Sequence, residues 1–277
     1  MSGAAVLVNG APGEQVSVHD RGFQYGDGVF ETLAVARGAP LLWERHLARL
    51  REGAARLGIA PPAEATLRAE AARLCVGRAR AVLKIVVTRG VSGRGYAPMD
   101  EAAPTRVVGI APWPDYPAHN AQAGVALRFC RARLARQALL AGVKHLNRLE
   151  QVLARAEWRD EYAEGLMLDD ADRVIEGTMS NVFVVKAGGL RSPDVSRCGV
   201  AGIMRGVVLE RAQRLGLDCR VAELRRADIL DAEEVFLTNS LIGLWPVRRL
   251  EDAEYAPGPV TRRIQEAIRD VCCHGED

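Results

Sequence analysis

The sequence predicts a mixed α+β and α/β chain of two domains: a small N-terminal α+β domain over residues 1–115, a linker over 116–123, and a larger, β-rich C-terminal domain with helices over 124–277. Three observations predict it. At 277 residues and 48% hydrophobic side chains, the chain can bury one large core or two medium ones. Short apolar runs of strand length alternate with longer stretches in which apolar residues recur every three or four positions. One stretch, WPDYPAHNAQAG, is rich in proline, alanine and polar residues and has no periodicity, so it separates the two halves.

Taken in order, AAVLVN (4–9) reads as a strand, NGAPGE as a turn and QVSVHD (15–20) as a second, alternating strand. Glycines 22, 26 and 28 then interrupt the chain before FETLAVA resumes strand character; three glycines in seven residues imply tight backbone geometry. They match neither GxGxxG nor GxxxxGK[ST], which argues against a nucleotide loop. Apolar positions 42, 43, 47, 50, 54 and 57 mark an amphipathic helix, and Pro61–Pro62 open another over about 64–77. AVLKIVVTRG (81–90) is a strand too apolar for an edge, and TRVVGIAPWP (105–114) follows the glycine-rich loop VSGRGYAP. Beyond the linker, GVALRFCRARL is a strand. The segment GVKHLNRLEQVLAR (142–155) runs into a helix whose Leu146, Leu149, Val152 and Leu153 are expected to pack inward, with Arg148, Gln151 and Arg155 on other faces. EGLMLDDADRVIEGTMSNVFVV reads as three strands with turns, GVAGIMRGVVLERAQRLGL as a glycine turn and a helix from about Ile203, EEVFLTNSLIGLWPVRRL as two strands around a polar turn, and TRRIQEAIRDV as one closing helix.

A formal net charge of +2 with arginines scattered among acids gives no footprint for nucleic acid. No basic start precedes an apolar core, and no run approaches the roughly twenty apolar residues of a membrane helix, so a cytoplasmic protein without membrane contact is expected. None of the six cysteines forms a CxxC pair and the five histidines lie far apart, so neither a disulfide framework nor a metal site is expected. The cysteines read as reduced, mostly buried thiols.

Among 37 basic residues only Lys84, Lys144 and Lys186 are lysines. A lysine in an arginine-rich chain suits a task arginine cannot perform, since its amine can lose a proton and act as a nucleophile. Lys144 precedes the regular helix, where a side chain can reach a cavity; the alternative is a solvated helix-start residue.

The run AGVKHLNRLEQVLAR closely resembles the segment of aminodeoxychorismate lyases whose lysine holds pyridoxal 5'-phosphate (PLP). Those lyases belong to the fold type IV family of PLP enzymes, with the branched-chain and D-amino acid aminotransferases. The family's lysine falls on Lys144, and the Asn147–Arg148 pair is closer to the lyase, with Arg148 near the substrate. Six further segments agree. DRGFQYGDGVFET resembles the family's first signature, in which the residue at Tyr25 lines the substrate side. HLARL matches H-x-x-R-L, implying Arg49 at the cofactor phosphate, where a guanidinium fork gives paired, charge-assisted hydrogen bonds. IEGTMSNVF matches EGxxxN-[VL]-F, implying Glu176 at the pyridine nitrogen, where a carboxylate keeps that nitrogen protonated. GIMR resembles the phosphate-binding helix start, implying the amides of Ile203 and Met204, while TNS places Asn239 and Ser240 at the last phosphate loop. RGVSGRGY resembles the lyase loop, with Arg94 and Tyr96 either reaching an anionic ring substrate or simply exposed.

The resemblance implies a homodimeric lyase that eliminates pyruvate from 4-amino-4-deoxychorismate to give 4-aminobenzoate, a folate precursor. GVFET is also close to the aminotransferase patterns GVFEG and GVYEV, which keeps a branched-chain or D-amino acid aminotransferase open, and a PLP-binding protein without activity is a third reading. Glu31 departs from the lyase pattern without an interpretation in sequence.

Overall fold

The structure, a computed structural model, describes residues 5–98 and 103–274. Within these limits one compact unit takes residues 5–98, 103–114, 143–147 and 273–274, and a second takes residues 115–142 and 148–272.

The first unit contains β1 (Ala5–Val8), β2 (Ala11–Pro12), α1 (Arg21–Tyr25), β3 (Gly28–Ala36), β4 (Ala39–Pro40), α2 (Trp43–Arg56), α3 (Glu64–Cys75), β5 (Arg80–Thr88) and β6 (Thr105–Pro112). Its strands form an antiparallel sheet in the order β2-β1-β6-β5-β3-β4. β5 is central, as its apolar run predicts. Helix α2 buries Trp43, Leu47, Leu50 and Ala54 in a core with Leu33, Val35 and Leu83, the stripe its 3.6-residue period implies.

The alternation in QVSVHD does not make a strand: β2 is only Ala11–Pro12, and Val16 and Val18 are exposed. With β1 already paired on its other edge to β6, residues 15–19 take no ladder of their own. Instead α1 forms inside the glycine-rich run. Asp20 caps it by accepting from the Gly22 N–H, and Gly26 ends it in the left-handed conformation. A Cβ at Gly22 would lie 2.2 Å from Thr88 Cγ2, so α1 seats on the end of β5 only because Gly22 has none.

The second unit contains α4 (His119–Ala123), β7 (Val125–Leu134), α5 (Leu149–Arg155), β8 (Glu164–Asp169), β9 (Arg173–Gly177), β10 (Asn181–Lys186), β11 (Gly189–Pro193), α6 (Ile203–Arg214), β12 (Cys219–Ala222), β13 (Leu224–Arg225), α7 (Arg226–Leu230), β14 (Glu234–Asn239), β15 (Gly243–Leu250), β16 (Ala253–Glu254), α8 (Pro259–Ala267) and α9 (Arg269–His274). Its sheet runs β12-β11-β10-β14-β15-β7-β8-β9-β13, with β16 on β15. The pairs β15·β7, β7·β8 and β11·β12 are parallel and the others antiparallel. The stretch expected as a linker contains α4, and Tyr116 packs edge-on to Trp245 at 5.0 Å. The closing helix is two helices, α8 and α9, broken at Ile268.

Helix α5 corrects the expected inward face. Gln151 and Ala154 are buried, whereas Leu149, Val152 and Leu153 are 69%, 60% and 58% exposed. Periodicity identified side chains that share a face, but the chain on either side of the helix determines which face turns inward. No helix among the described residues is long and apolar enough to cross a membrane.

Candidate active site

In the first unit, residues 143–147 lie extended along β3. The Phe30 N–H donates to the Lys144 carbonyl at 3.0 Å, the Leu146 N–H donates to the Gly28 carbonyl at 2.9 Å, and Val29 and His145 form an antiparallel bridge. Lys144 is therefore fixed by strand pairing, outside α5, and is half-buried. Its Nζ lies 4.4 Å from the Phe30 ring centroid, over a face that attracts a cation. Lys84 is exposed and Lys186 pairs with Asp231, so of the three lysines Lys144 has the sheltered setting.

Arg49, on α2, faces Glu31 on β3. Its Nε donates to Glu31 Oε1 at 2.8 Å and its Nη2 to Oε2 at 2.6 Å, while His46 Nδ1 lies 2.6 Å from Oε2. Burial raises the Glu31 carboxyl, but the charge and hydrogen bonds of Arg49, with His46, more than reverse this and bring it to about 2. Burial pushes the His46 imidazole below its ordinary value against the pull of Glu31. Glu31 thus aligns the guanidinium that the resemblance puts at the phosphate. Only a strand-to-helix pairing makes this visible; the signal in sequence was a carboxylate in an otherwise apolar strand.

Tyr25 and Tyr96 pack with ring centroids 5.4 Å apart. Arg94 and Tyr96 lie on the surface of this unit, Tyr96 being 84% exposed. Beneath them is Arg21, a buried guanidinium in the same run as Tyr25 for which the motif carries no expected role. It bonds Asp27, the Ser92 hydroxyl and the carbonyls of Gly95, Tyr96 and Ala97.

In the second unit, β9 carries Glu176, which is 4% exposed and accepts from the Val200 N–H at 2.8 Å. The same short run is pinned from both sides: Gly142 N–H donates to Gly199 O and Ala201 N–H to Gly142 O. Gly202 follows as the N-cap of α6. No side chain caps this helix and no acid sits in its first turn, so Ile203 and Met204 begin a helix start suited to an anion. A Cβ on Gly202 would lie 1.9 Å from Asn181 Oδ1, and Asn181 Nδ2 donates to Val200 O. Arg148 is half-buried; burial pushes its guanidinium down, while the Glu176 and Glu150 carboxylates act the other way.

Ser240 stands in the turn after β14. Asn239 shapes that turn, its Oδ1 accepting from Leu241 and Ile242 N–H and its Nδ2 donating to Met179 O. Sequence reading also missed Glu164, a buried carboxylate that accepts from Thr178, Met179 and Ser180 and so holds the turn following Glu176. An uncapped helix start and a buried carboxylate match the two polar ends of a phosphorylated pyridine, an anion and a protonated ring nitrogen.

Comparison with known proteins agrees with this chemistry. An aminodeoxychorismate lyase from Vibrio harveyi is 40% identical over 266 residues, covering 93% of this chain and 97% of that protein. The crystal structure of 4-amino-4-deoxychorismate lyase from Pseudomonas aeruginosa superposes with a TM-score of 0.91 at 52% identity, covering 96% of this chain and 98% of that one. A D-alanine aminotransferase from Bacillus licheniformis is 31% identical over 283 residues, covering 96% of each. The family described as Amino-transferase class IV matches residues 28–250, more than half of the sequence, and the chain belongs to it.

Proposed function

We propose that this chain is a PLP-dependent 4-amino-4-deoxychorismate lyase that releases pyruvate and leaves 4-aminobenzoate. The observation that carries the reading is the likeness to the Pseudomonas aeruginosa lyase over nearly the whole chain. The D-alanine aminotransferase is a more distant relative. When bound, PLP supplies an electron sink next to the reacting carbon.

The chain's own residues then divide the work. Lys144 would anchor the cofactor and would also move protons: its amine would take the proton from the amine-bearing ring carbon and deliver one to the departing enolpyruvyl oxygen. Glu176 holds the proton on the ring nitrogen. Arg49, the amides of Ile203 and Met204, and the Ser240 hydroxyl grip the phosphate, with Asn239 setting the turn that presents Ser240. Tyr25, Arg94, Tyr96 and Arg148 meet the substrate, whose carboxylates suit guanidinium and phenol donors. Breaking the carbon–oxygen bond makes the ring aromatic, so positioning and proton transfer are the protein's main tasks.

The two compact units serve as domains, with the boundary near residue 115. The exposed stripe Leu149, Val152 and Leu153 supports a homodimer, because apolar side chains gathered on one short helix favour a covered face. The setting is cytoplasmic, where a folate precursor is made.

The test is pyruvate release from 4-amino-4-deoxychorismate with no 2-oxo acid added. Lys144→Ala is expected to lower turnover by at least about a hundredfold and to abolish covalent cofactor attachment. Turnover that requires a 2-oxo acid acceptor would assign an aminotransferase instead.

A further inference from the structure

The loop joining β5 to β6 is long, yet residues 92–97 are gathered around one side chain. Arg21, 4% exposed, sends Nη2 to Tyr96 O at 2.8 Å and Nη1 to Gly95 O at 3.0 Å, Ser92 Oγ at 3.2 Å and Ala97 O at 3.5 Å. Its Nε donates to Asp27 Oδ2 at 2.8 Å, and its guanidinium lies 5.0 Å from the Tyr25 ring centroid. Asp27 is held independently by Arg89, through bonds of 2.7 and 3.1 Å. The platform is rigid, since α1 seats on Thr88 and the Arg21 N–H donates to Gly90 O at 2.9 Å. A planar fork with five donors can collect several carbonyls in one plane, whereas a lysine ammonium cannot.

We infer that Arg21 is a positioning residue for substrate: it fixes the backbone of residues 92–97 so that Arg94 and Tyr96 are presented to the substrate's carboxylates. This rests on the function proposed above. Arg21 itself points inward and touches no reacting atom. Its contribution is the shape of a loop that would otherwise lose conformational entropy on binding substrate.

The experiment compares holoenzyme of the wild type, Arg21→Lys, Arg94→Ala and the double variant, with Ser92→Ala as a milder lesion that leaves the buried cluster intact. Arg21→Lys is expected to raise KM for 4-amino-4-deoxychorismate about tenfold or more while kcat stays within about threefold. Ser92→Ala should raise KM less, in the same direction. The double variant is expected to be less impaired than the product of the two single effects, because Arg21 acts in part through Arg94. Without substrate, tryptic cleavage after Arg94 should be faster in Arg21→Lys. An unchanged KM, an unchanged cleavage rate or multiplying effects in the double variant would overturn the inference. A wild type that releases no pyruvate would instead sink the functional reading, and the cleavage rates would still report whether Arg21 holds the loop.

Discussion

Glu31 shows how much of this site is decided by single side chains meeting across elements. Its carboxylate is deeply buried, yet it is held at about 2 because Arg49 and His46 surround it. A folded value below the ordinary 4.5 means that the group contributes stability present above about pH 4.5 and lost as pH falls toward 2. A shift of that size corresponds to about 3 kcal/mol. The stability gap between wild type and Glu31→Gln should therefore be about that large near neutrality and shrink as denaturant titrations move from pH 5 to pH 2.5; a constant gap would show that the charge does not matter. The thiols give a second check at this scale. Burial pushes Cys130 and Cys198 up to about 12 and Cys75 up to about 11, so little thiolate is present at pH 8. These three should resist a thiol reagent until the chain unfolds, while the half-buried Cys219 reacts sooner. Rapid labelling of Cys130 in the folded protein would contradict the packing described.

Two glycines of one helix region separate a close approach from an ordinary helix position. Gly202, the N-cap of α6, faces Asn181 at a distance no Cβ tolerates, whereas a Cβ on Gly206 meets nothing within 4 Å. Gly202→Ala is expected to cost about 1–3 kcal/mol and to weaken PLP binding about tenfold by displacing the first-turn amides. Gly206→Ala should stabilise by about 0.5–1 kcal/mol without changing cofactor affinity. Thermal melts with fluorescence titration of PLP compare the two, and equal effects would remove the phosphate cup from α6. The start of α6 at Ile203 was legible in sequence because a glycine turn precedes a helical period. The face of α5 was not, because a short amphipathic helix has the same period whether its stripe points to its own core or to another surface.

For the whole molecule that stripe yields the testable consequence. Because Leu149, Val152 and Leu153 are largely exposed in the single chain, Val152→Asp should leave the fold and melting of each chain nearly intact, within about 0.5 kcal/mol, while shifting sedimentation from the proposed dimer toward monomer. A variant that sediments unchanged would separate the stripe from assembly. The strands that the sequence identified well are those whose apolar content exceeds what an edge allows: β5 sits at the centre of its sheet, and β8 and β10 are buried on both faces. Local chemistry along the chain also carried the motifs around Lys144, Glu176 and Ile203, since glycine turns, strand alternation and helix starts are short-range properties. What only the folded chain decided was the company those residues keep. Glu31 beside Arg49, Arg21 beneath residues 92–97 and the outward turn of α5 all join positions far apart in sequence or depend on what packs around them, and hydrogen bonds formed through space leave no period in the chain.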